Sequence, residues 1–136
     1  YLFKDESVEL FLMAEWRVSP KVDRIGYRYS GPRLGFKPMP EYLTKVVGKD
    51  PSHIVDDPNP IGGIQVPGGI EPIVICVDGI TLGGYSKIAT VISTDIPLIG
   101  QSKPGDITTF KAVTVDEAIE ALSETETKLG EHNILK

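Results

Sequence analysis

The sequence is poor in the features that mark secreted, membrane and nucleic-acid-binding proteins. Its 136 residues include one cysteine, Cys76, so no disulfide can form within the chain and a reducing, cytoplasmic setting is expected. No apolar run approaches the roughly 20 residues that a membrane-spanning helix needs. The net charge is −5 and no lysine and arginine cluster is present, which argues against nucleic-acid binding because phosphates require a basic surface.

Familiar catalytic and metal-binding motifs are also missing. The chain has no P-loop and no Gly-x-Gly-x-x-Gly pattern, so a nucleotide site cannot be assigned from motifs. His53 and His132 have no second ligand at metal spacing, and no metal site is predicted. Ser86 is outside a nucleophile elbow, and Cys76 lies in an apolar run where a packed, unreactive thiol is expected. The catalytic residues therefore stay unassigned.

Proline and glycine are abundant and predict a mainly β fold. Eleven prolines and 14 glycines interrupt the chain at short intervals, which favours many short strands over long helices. Residues 34–50 are predicted to be irregular because Pro38 and Pro40 block regular structure. A helical turn passing into a strand is predicted over 8–17, and further strands over 26–30, 52–55, 63–66, 72–77, 88–93 and 107–113.

One helix is clearly indicated near the end of the chain. Thr114 is a candidate N-cap and Glu117 follows three residues later, which is the capping-box pattern. Val115, Ala118 and Leu122 then fall on one helical face. Because closure removes exposed strand edges, we expect residues 1–136 to form a single closed β-barrel with one or two capping helices.

The most informative segment is 83–92, which lies between two apolar runs. Adjacent Gly83 and Gly84 allow a positive φ, or the close approach of another strand or molecule. One interpretation is a hairpin loop with a binding role, in which Tyr85 and Lys87 contact a ligand or partner. The other is a wide turn that simply needs glycine.

A second candidate site surrounds Arg24, Tyr27 and Arg28. The two-residue period of a strand would place both arginines on one face, where two guanidinium groups suit a carboxylate, carbamate or phosphate. The alternative is a structural ion pair with Asp23 or Asp78. We expect both arginines to face the same barrel opening as the glycine segment.

Gln65 is a third candidate, as the one amide side chain in an apolar strand. If it points inward, it must hydrogen-bond either to the backbone or to a ligand.

Four blocks of this sequence occur in the same order in a known family, and a resemblance to that family rests on them. The chain resembles the family of 5-oxoprolinase C subunits, also called KipA-like or allophanate hydrolase subunit 2, which contains a biotin-dependent carboxyltransferase domain. The resemblance implies a cyclophilin-like β-barrel. It also implies that the chain is the C-terminal half of a protein roughly twice as long, with its own N-terminal half as a partner. The blocks are 19–32, 63–67, 83–93 and 104–106.

The resemblance further implies a role in ATP-dependent opening of 5-oxoproline to glutamate, together with a KipI-like partner and a LamB/YcsF-like partner, which are the B and A components of the complex. Related domains receive a carboxyl group from biotin in urea carboxylase. The alternative is a non-catalytic regulator that binds a KipI-like partner and relieves inhibition of a histidine kinase. Leu82 and Ser86 depart from the family pattern, which has Thr and Pro there. The isolated chain is expected to be inactive.

Overall fold

The computed structural model describes residues 2–131 as a mainly β fold with a curled half-barrel sheet and a few helices. This confirms the predicted fold class, although the two end strands of the sheet, β7 and β8, are not paired with each other in the described part of the chain. The helices are α1 (Asp5–Met13), α2 (Glu41–Val47), α3 (Ile96–Gln101) and α4 (Val115–Glu131). The strands are β1 (Trp16–Val22), β2 (Gly26–Ser30), β3 (His53–Pro58), β4 (Gly63–Gln65), β5 (Ile73–Ile75), β6 (Leu82–Tyr85), β7 (Lys87–Thr90) and β8 (Ile107–Thr108).

Six strands form an antiparallel sheet in the order β7-β4-β5-β2-β1-β8, and β3 and β6 form a separate two-stranded ribbon. One face of the sheet carries the core, in which Trp16 is completely buried and donates a hydrogen bond from Nε1 to the carbonyl of Phe11 at 3.0 Å. Within residues 2–131, no helix is long and apolar enough to span a membrane. The core also contains Phe3, Val18, Tyr29, Leu34, Ile64, Val66, Val74 and Ile99.

The strand predicted over 26–30 is confirmed, because β2 begins and ends where predicted. The prediction for residues 34–50 is wrong, because α2 occupies Glu41–Val47. Pro40 is the N-cap of this helix, a position that needs no intrahelical N–H donor, so proline is tolerated there. Gly48 then ends the helix with φ 89°.

Helix α4 begins with the predicted capping box. The hydroxyl of Thr114 accepts a hydrogen bond from the Glu117 amide at 3.2 Å, and the Glu117 carboxylate accepts one from the Thr114 amide at 2.6 Å. The bond from the Thr114 amide, and a second one from the Thr114 hydroxyl to the same carboxylate at 3.0 Å, lower the pKa of Glu117. The apolar face of α4 is mostly exposed, however, with Val115 76% and Ile119 60% accessible. The exposed apolar residues thus contribute little burial, and the first turn of this helix is held by the capping-box hydrogen bonds.

Replacing the capping residue should loosen the start of α4. We expect Thr114→Ala to cost about 1 kcal/mol of helix stability, so amide protons in the first two turns should exchange about fivefold faster. Thr125→Ala is the matched control, since Thr125 lies mid-helix and alanine favours the helix there. Equal exchange rates in both variants, measured by hydrogen–deuterium exchange, would contradict a stabilising role for the cap.

Candidate functional site

Three predicted site residues form a row across four neighbouring strands. The sheet register pairs Arg28 with Ile73, Ile73 with Gln65, and Gln65 with Lys87. Directly opposed residues in antiparallel strands project to the same face, and neighbouring strands lie about 4.8 Å apart. Arg28, Gln65 and Lys87, here called the outer row, therefore project from one face over a span of roughly 14 Å.

The outer row lies on the opposite face from the core. The next row along the same strands contains Tyr27, Val74 and Ile64, and the last two belong to the buried core. Side chains alternate between faces along a strand, so Arg28 and Gln65 project away from that core. Tyr27 projects toward the core side, where its hydroxyl donates a hydrogen bond to the carbonyl of Gly100 at 3.1 Å.

Each charged member of the outer row is paired with a carboxylate. Arg28 Nη1 lies 3.2 Å from Glu71 Oε2, and the Arg28 side chain is 41% exposed. Lys87 Nζ donates to Asp57 Oδ2, and the Lys87 side chain is only 15% exposed. Within the described residues, the bond to Glu71 is the one hydrogen bond of the Arg28 guanidinium, which has five N–H donors in total. Arg28 therefore retains donors for an anionic group.

Gln65 lies at the centre of the row and is buried, so its amide must be hydrogen-bonded, as the sequence indicated for an inward-pointing side chain. It is 4% exposed, and its Nε2 donates a hydrogen bond to Asn59 Oδ1 at 3.0 Å. Its partner within the described residues is thus the Asn59 side chain, and the predicted ligand contact of Gln65 stays a prediction. Sequence reasoning missed Asn59 because it lies between Pro58 and Pro60, outside the strands predicted over 52–55 and 63–66.

The glycine pair lies in strand β6 of the ribbon, so the predicted hairpin loop or wide turn is wrong. The flanking strands β5 and β7 both pair with β4, and neither Gly83 nor Gly84 has a positive φ. A Cβ at Gly83 would lie 2.6 Å from Asn59 Nδ2 and 2.6 Å from Gln65 Nε2. A side chain at position 83 would therefore have to displace the ends of the Asn59 and Gln65 side chains, which are hydrogen-bonded to each other where the ribbon meets the outer row.

A buried serine pair joins the ribbon to the sheet. The amide and the hydroxyl of Ser86 both donate to the carbonyl of Ser52, at 2.8 and 3.0 Å, and the Ser86 carbonyl accepts from the Val66 amide at 3.1 Å. A proline, which the family pattern has at this position, could not donate the first of these bonds. Ser52 Oγ also accepts from the Gly68 amide and donates to Asp50 at 2.7 Å.

Arg24 lies outside strand β2, in the turn after β1, so the two-residue period does not apply to it. Its guanidinium forms two hydrogen bonds with Asp78, the second at 3.1 Å. This pair raises the pKa of Arg24 and lowers the pKa of Asp78. The structure thus shows the ion pair that the sequence left as the alternative.

Tyr85 lies in a different environment from the outer row. Its ring is half-exposed and contacts His53 with 5.2 Å between ring centroids, in an open groove of about 360 Å³ that Val46 and Val55 also line. Of the eight predicted site residues, Arg28, Gln65 and Lys87 thus lie in one row with Gly83 above it. Gly84 lines the groove beside Tyr85, and Arg24 and Tyr27 have other surroundings. The binding role of each predicted site residue stays a prediction.

Metal ligation finds no geometric support in the described part of the chain. Residues 2–131 contain no group of three histidine, cysteine, aspartate or glutamate side chains arranged to hold a metal ion. His132 lies outside the described residues. Cys76 is partly buried, and this burial raises the pKa of its thiol.

Comparison with known proteins identifies the family. Residues 1–112 match the family described as carboxyltransferase domain, subdomain A and B. The chain belongs to this carboxyltransferase family. It is 35% identical over 116 residues to the 5-oxoprolinase C subunit of Haemophilus influenzae and 32% identical over 119 residues to urea amidolyase of Saccharomyces cerevisiae. The structure of the Kluyveromyces lactis urea carboxylase superposes with a TM-score of 0.84 at 31% identity, covering 94% of this chain and 11% of that one.

The carboxyltransferase domain described here is only part of these relatives. Each match covers 85% of this chain, but 34% of the H. influenzae protein and 6% of the yeast urea amidolyase. The chain therefore spans about a third of the 5-oxoprolinase relative. Activities of the whole relatives thus concern much more chain than the carboxyltransferase domain contains.

The close approach at Gly83 can be tested by adding a single methyl group. We expect Gly83→Ala to lower the free energy of unfolding by about 1–3 kcal/mol, because its Cβ overlaps the Asn59 and Gln65 amides. Gly84→Ala is the matched control in the same strand, since the nearest atom, the Ile54 carbonyl oxygen, lies 3.4 Å from its Cβ. Urea unfolding should leave this control within about 0.5 kcal/mol of the parent chain. Equal effects at both positions would contradict the steric argument.

The Asp50–Ser52 contact predicts an acid-sensitive contribution to stability. The hydroxyl and amide of Ser52 both donate to Asp50, which lowers the pKa of Asp50 below its ordinary value of 3.8. A carboxyl group with a lowered pKa in the folded state stabilises the fold above its unfolded-state pKa, and this contribution disappears as the pH falls through the folded-state pKa.

Asp50→Asn should therefore lose less stability than the parent chain when the pH is lowered from about 5 to 2.5, because asparagine at this position does not titrate. Unfolding midpoints measured by circular dichroism at several pH values test this. If acid lowers the unfolding midpoint of Asp50→Asn as much as that of the parent chain, the assignment is contradicted.

Proposed function

We propose that this carboxyltransferase domain provides the binding surface for a small amide substrate in a 5-oxoprolinase-type complex. The observation that carries the proposal is the outer row, in which the Gln65 amide lies between the cationic side chains of Arg28 and Lys87. 5-Oxoproline has a ring amide and a carboxylate. The amide matches the donors and acceptors of a glutamine side chain, and the carboxylate matches the fork of donors on a guanidinium.

Recognition of an amide group fits the compounds named for both kinds of relative. The names 5-oxoprolinase and urea amidolyase refer to a cyclic amide and to urea, and both molecules contain a carbonyl bonded to nitrogen. A row that recognises this shared group would serve either substrate. Arg28 favours 5-oxoproline, because urea has no carboxylate for the guanidinium to bind.

Cofactors and partners follow from this proposal. We assign ATP use and bond cleavage to the assembled complex, which contains the KipI-like partner, the LamB/YcsF-like partner and the remaining part of this protein. In a carboxyltransferase relative biotin supplies the carboxyl group, and its ureido ring carries the same amide atoms that Gln65 would bind. The isolated domain is expected to show no 5-oxoproline-dependent ATP hydrolysis.

Reconstitution tests the proposal directly. The full-length protein that contains this chain is mixed with the KipI-like and LamB/YcsF-like partners, and ATP hydrolysis is measured with 5-oxoproline, with urea and without either compound. We expect stimulation by 5-oxoproline that requires all components. Stimulation by urea alone would assign the domain to the urea-processing relatives, and complex formation without stimulation would favour a regulatory role. Either result would overturn the proposal.

Arg28 gives the sharpest mutational test in the same assay. Arg28→Lys keeps the charge but loses the planar fork, so we expect at least a tenfold loss of 5-oxoproline-dependent activity, or about 1.4 kcal/mol. The melting temperature should barely change, because the side chain is 41% exposed and such ion pairs stabilise little.

The matched control is Arg17→Lys, an exposed strand arginine that bonds to the Gly105 carbonyl. This control should retain full activity. A large loss of stability in Arg28→Lys with normal specific activity of the remaining folded protein would show that Arg28 is structural.

A further inference from the structure

The Asn59 side chain has an amide nitrogen without a partner at the centre of this site. Asn59 is 9% exposed and its Oδ1 accepts the hydrogen bond from Gln65, but Nδ2 is buried and makes no hydrogen bond within the described residues. Buried polar side-chain atoms in native proteins are nearly always paired. The fold therefore retains a desolvated hydrogen-bond donor directly beside the outer row.

The β3–β6 ribbon that covers this donor is weakly anchored by apolar contacts. In β3, residues 55–58 are exposed, and in β6 Leu82 is 56% exposed. Near Asn59 the ribbon is held to the sheet by the Asp57–Lys87 ion pair and the Asn59–Gln65 hydrogen bond. Segments with few buried apolar contacts open at low free-energy cost, so the ribbon can separate from the outer row while the sheet stays intact.

The chemistry of the free group limits what it can bind. A side-chain amide nitrogen is a donor and excludes metal ions and other cations, so its partner must be an oxygen or nitrogen acceptor. The charge next to it is already balanced, because Lys87 is paired with Asp57. A neutral carbonyl oxygen therefore fits this position better than a second carboxylate.

We propose that Asn59 is a specificity-determining residue whose Nδ2 donates a hydrogen bond to the carbonyl oxygen of a cyclic amide bound between the ribbon and the outer row. The inference rests on the proposed function and adds the residue that distinguishes an amide ring from an otherwise similar carboxylate. Gln65 fixes the orientation of Asn59 by donating to its Oδ1, which directs Nδ2 to the ligand. The ribbon separates from the row to admit the ligand and stays displaced at Gly83 while the ligand is bound, because in the closed position a single methyl group would already overlap the Asn59 and Gln65 amides.

Calorimetric titration of the full-length protein tests the proposal with two matched ligands. 5-Oxoproline and cyclopentanecarboxylate share a five-membered ring and a carboxylate, but only the first has the ring amide. We expect the parent protein to bind 5-oxoproline at least about tenfold more tightly, because a buried donor is left unpaired by the second ligand.

Asn59→Asp isolates the donor. Aspartate keeps an oxygen acceptor for Gln65 Nε2 but has no amide nitrogen, and its added charge acts on both anionic ligands alike. The variant should lose the preference for 5-oxoproline. A preserved preference in Asn59→Asp, or no preference in the parent protein, would overturn the proposal.

A second measurement uses the parent protein alone, in case the variant fails to fold. The side-chain amide resonances of Asn59 in a nitrogen-15 NMR spectrum should shift with 5-oxoproline and stay in place with cyclopentanecarboxylate. Unchanged resonances with 5-oxoproline would overturn the proposal.

The outcomes separate this inference from the proposed function. Normal 5-oxoproline-dependent ATP hydrolysis in the reconstituted Asn59→Asp complex, with the ligand preference intact, would remove the role of Asn59 and leave the proposed function standing. A preference that depends on Asn59 in a protein whose complex lacks that ATP hydrolysis would support the amide site and refute the proposed function.

Discussion

The site depends on how closely the β3–β6 ribbon lies over the sheet at Gly83. The amide nitrogens of Asn59 and Gln65 occupy the space that a side chain at position 83 would fill. Any larger residue would force the ribbon away from the sheet or displace the two amides. The ribbon would then no longer position Asn59 over Gln65 or Asp57 beside Lys87. Glycine matters at position 83 because it has no side chain, and its φ is not positive.

The second constraint is electrostatic balance within the outer row. Arg28 and Lys87 each have a carboxylate partner, so the row combines two neutralised cations with an uncharged amide between them. Lys87 is far less exposed than Arg28, and its charge is largely used to hold the ribbon. Arg28 retains unused donors and more solvent access. The row is therefore suited to a ligand with one charged end and one neutral polar end.

Local features could be predicted from the sequence, but long-range neighbours could not. The bounds of β2 follow from flanking turn residues, and the α4 cap follows from the Thr114 and Glu117 spacing. The outer row depends on strand order and register, which one sequence does not specify. The same limit explains why Arg24 and Arg28 were grouped: they are close in sequence, yet the strand begins between them. Asn59 was missed because it lies between the predicted strands, where one sequence does not show which side chains it meets.

The most direct test of the account is a crystal structure of the full-length protein with 5-oxoproline bound. We predict that the ligand lies beneath the β3–β6 ribbon, with its carboxylate at Arg28 and its ring amide at Gln65. Clear density for the ligand in the groove beside Tyr85, or at the exposed turn that carries Arg24, would contradict the assignment of the outer row as the binding site.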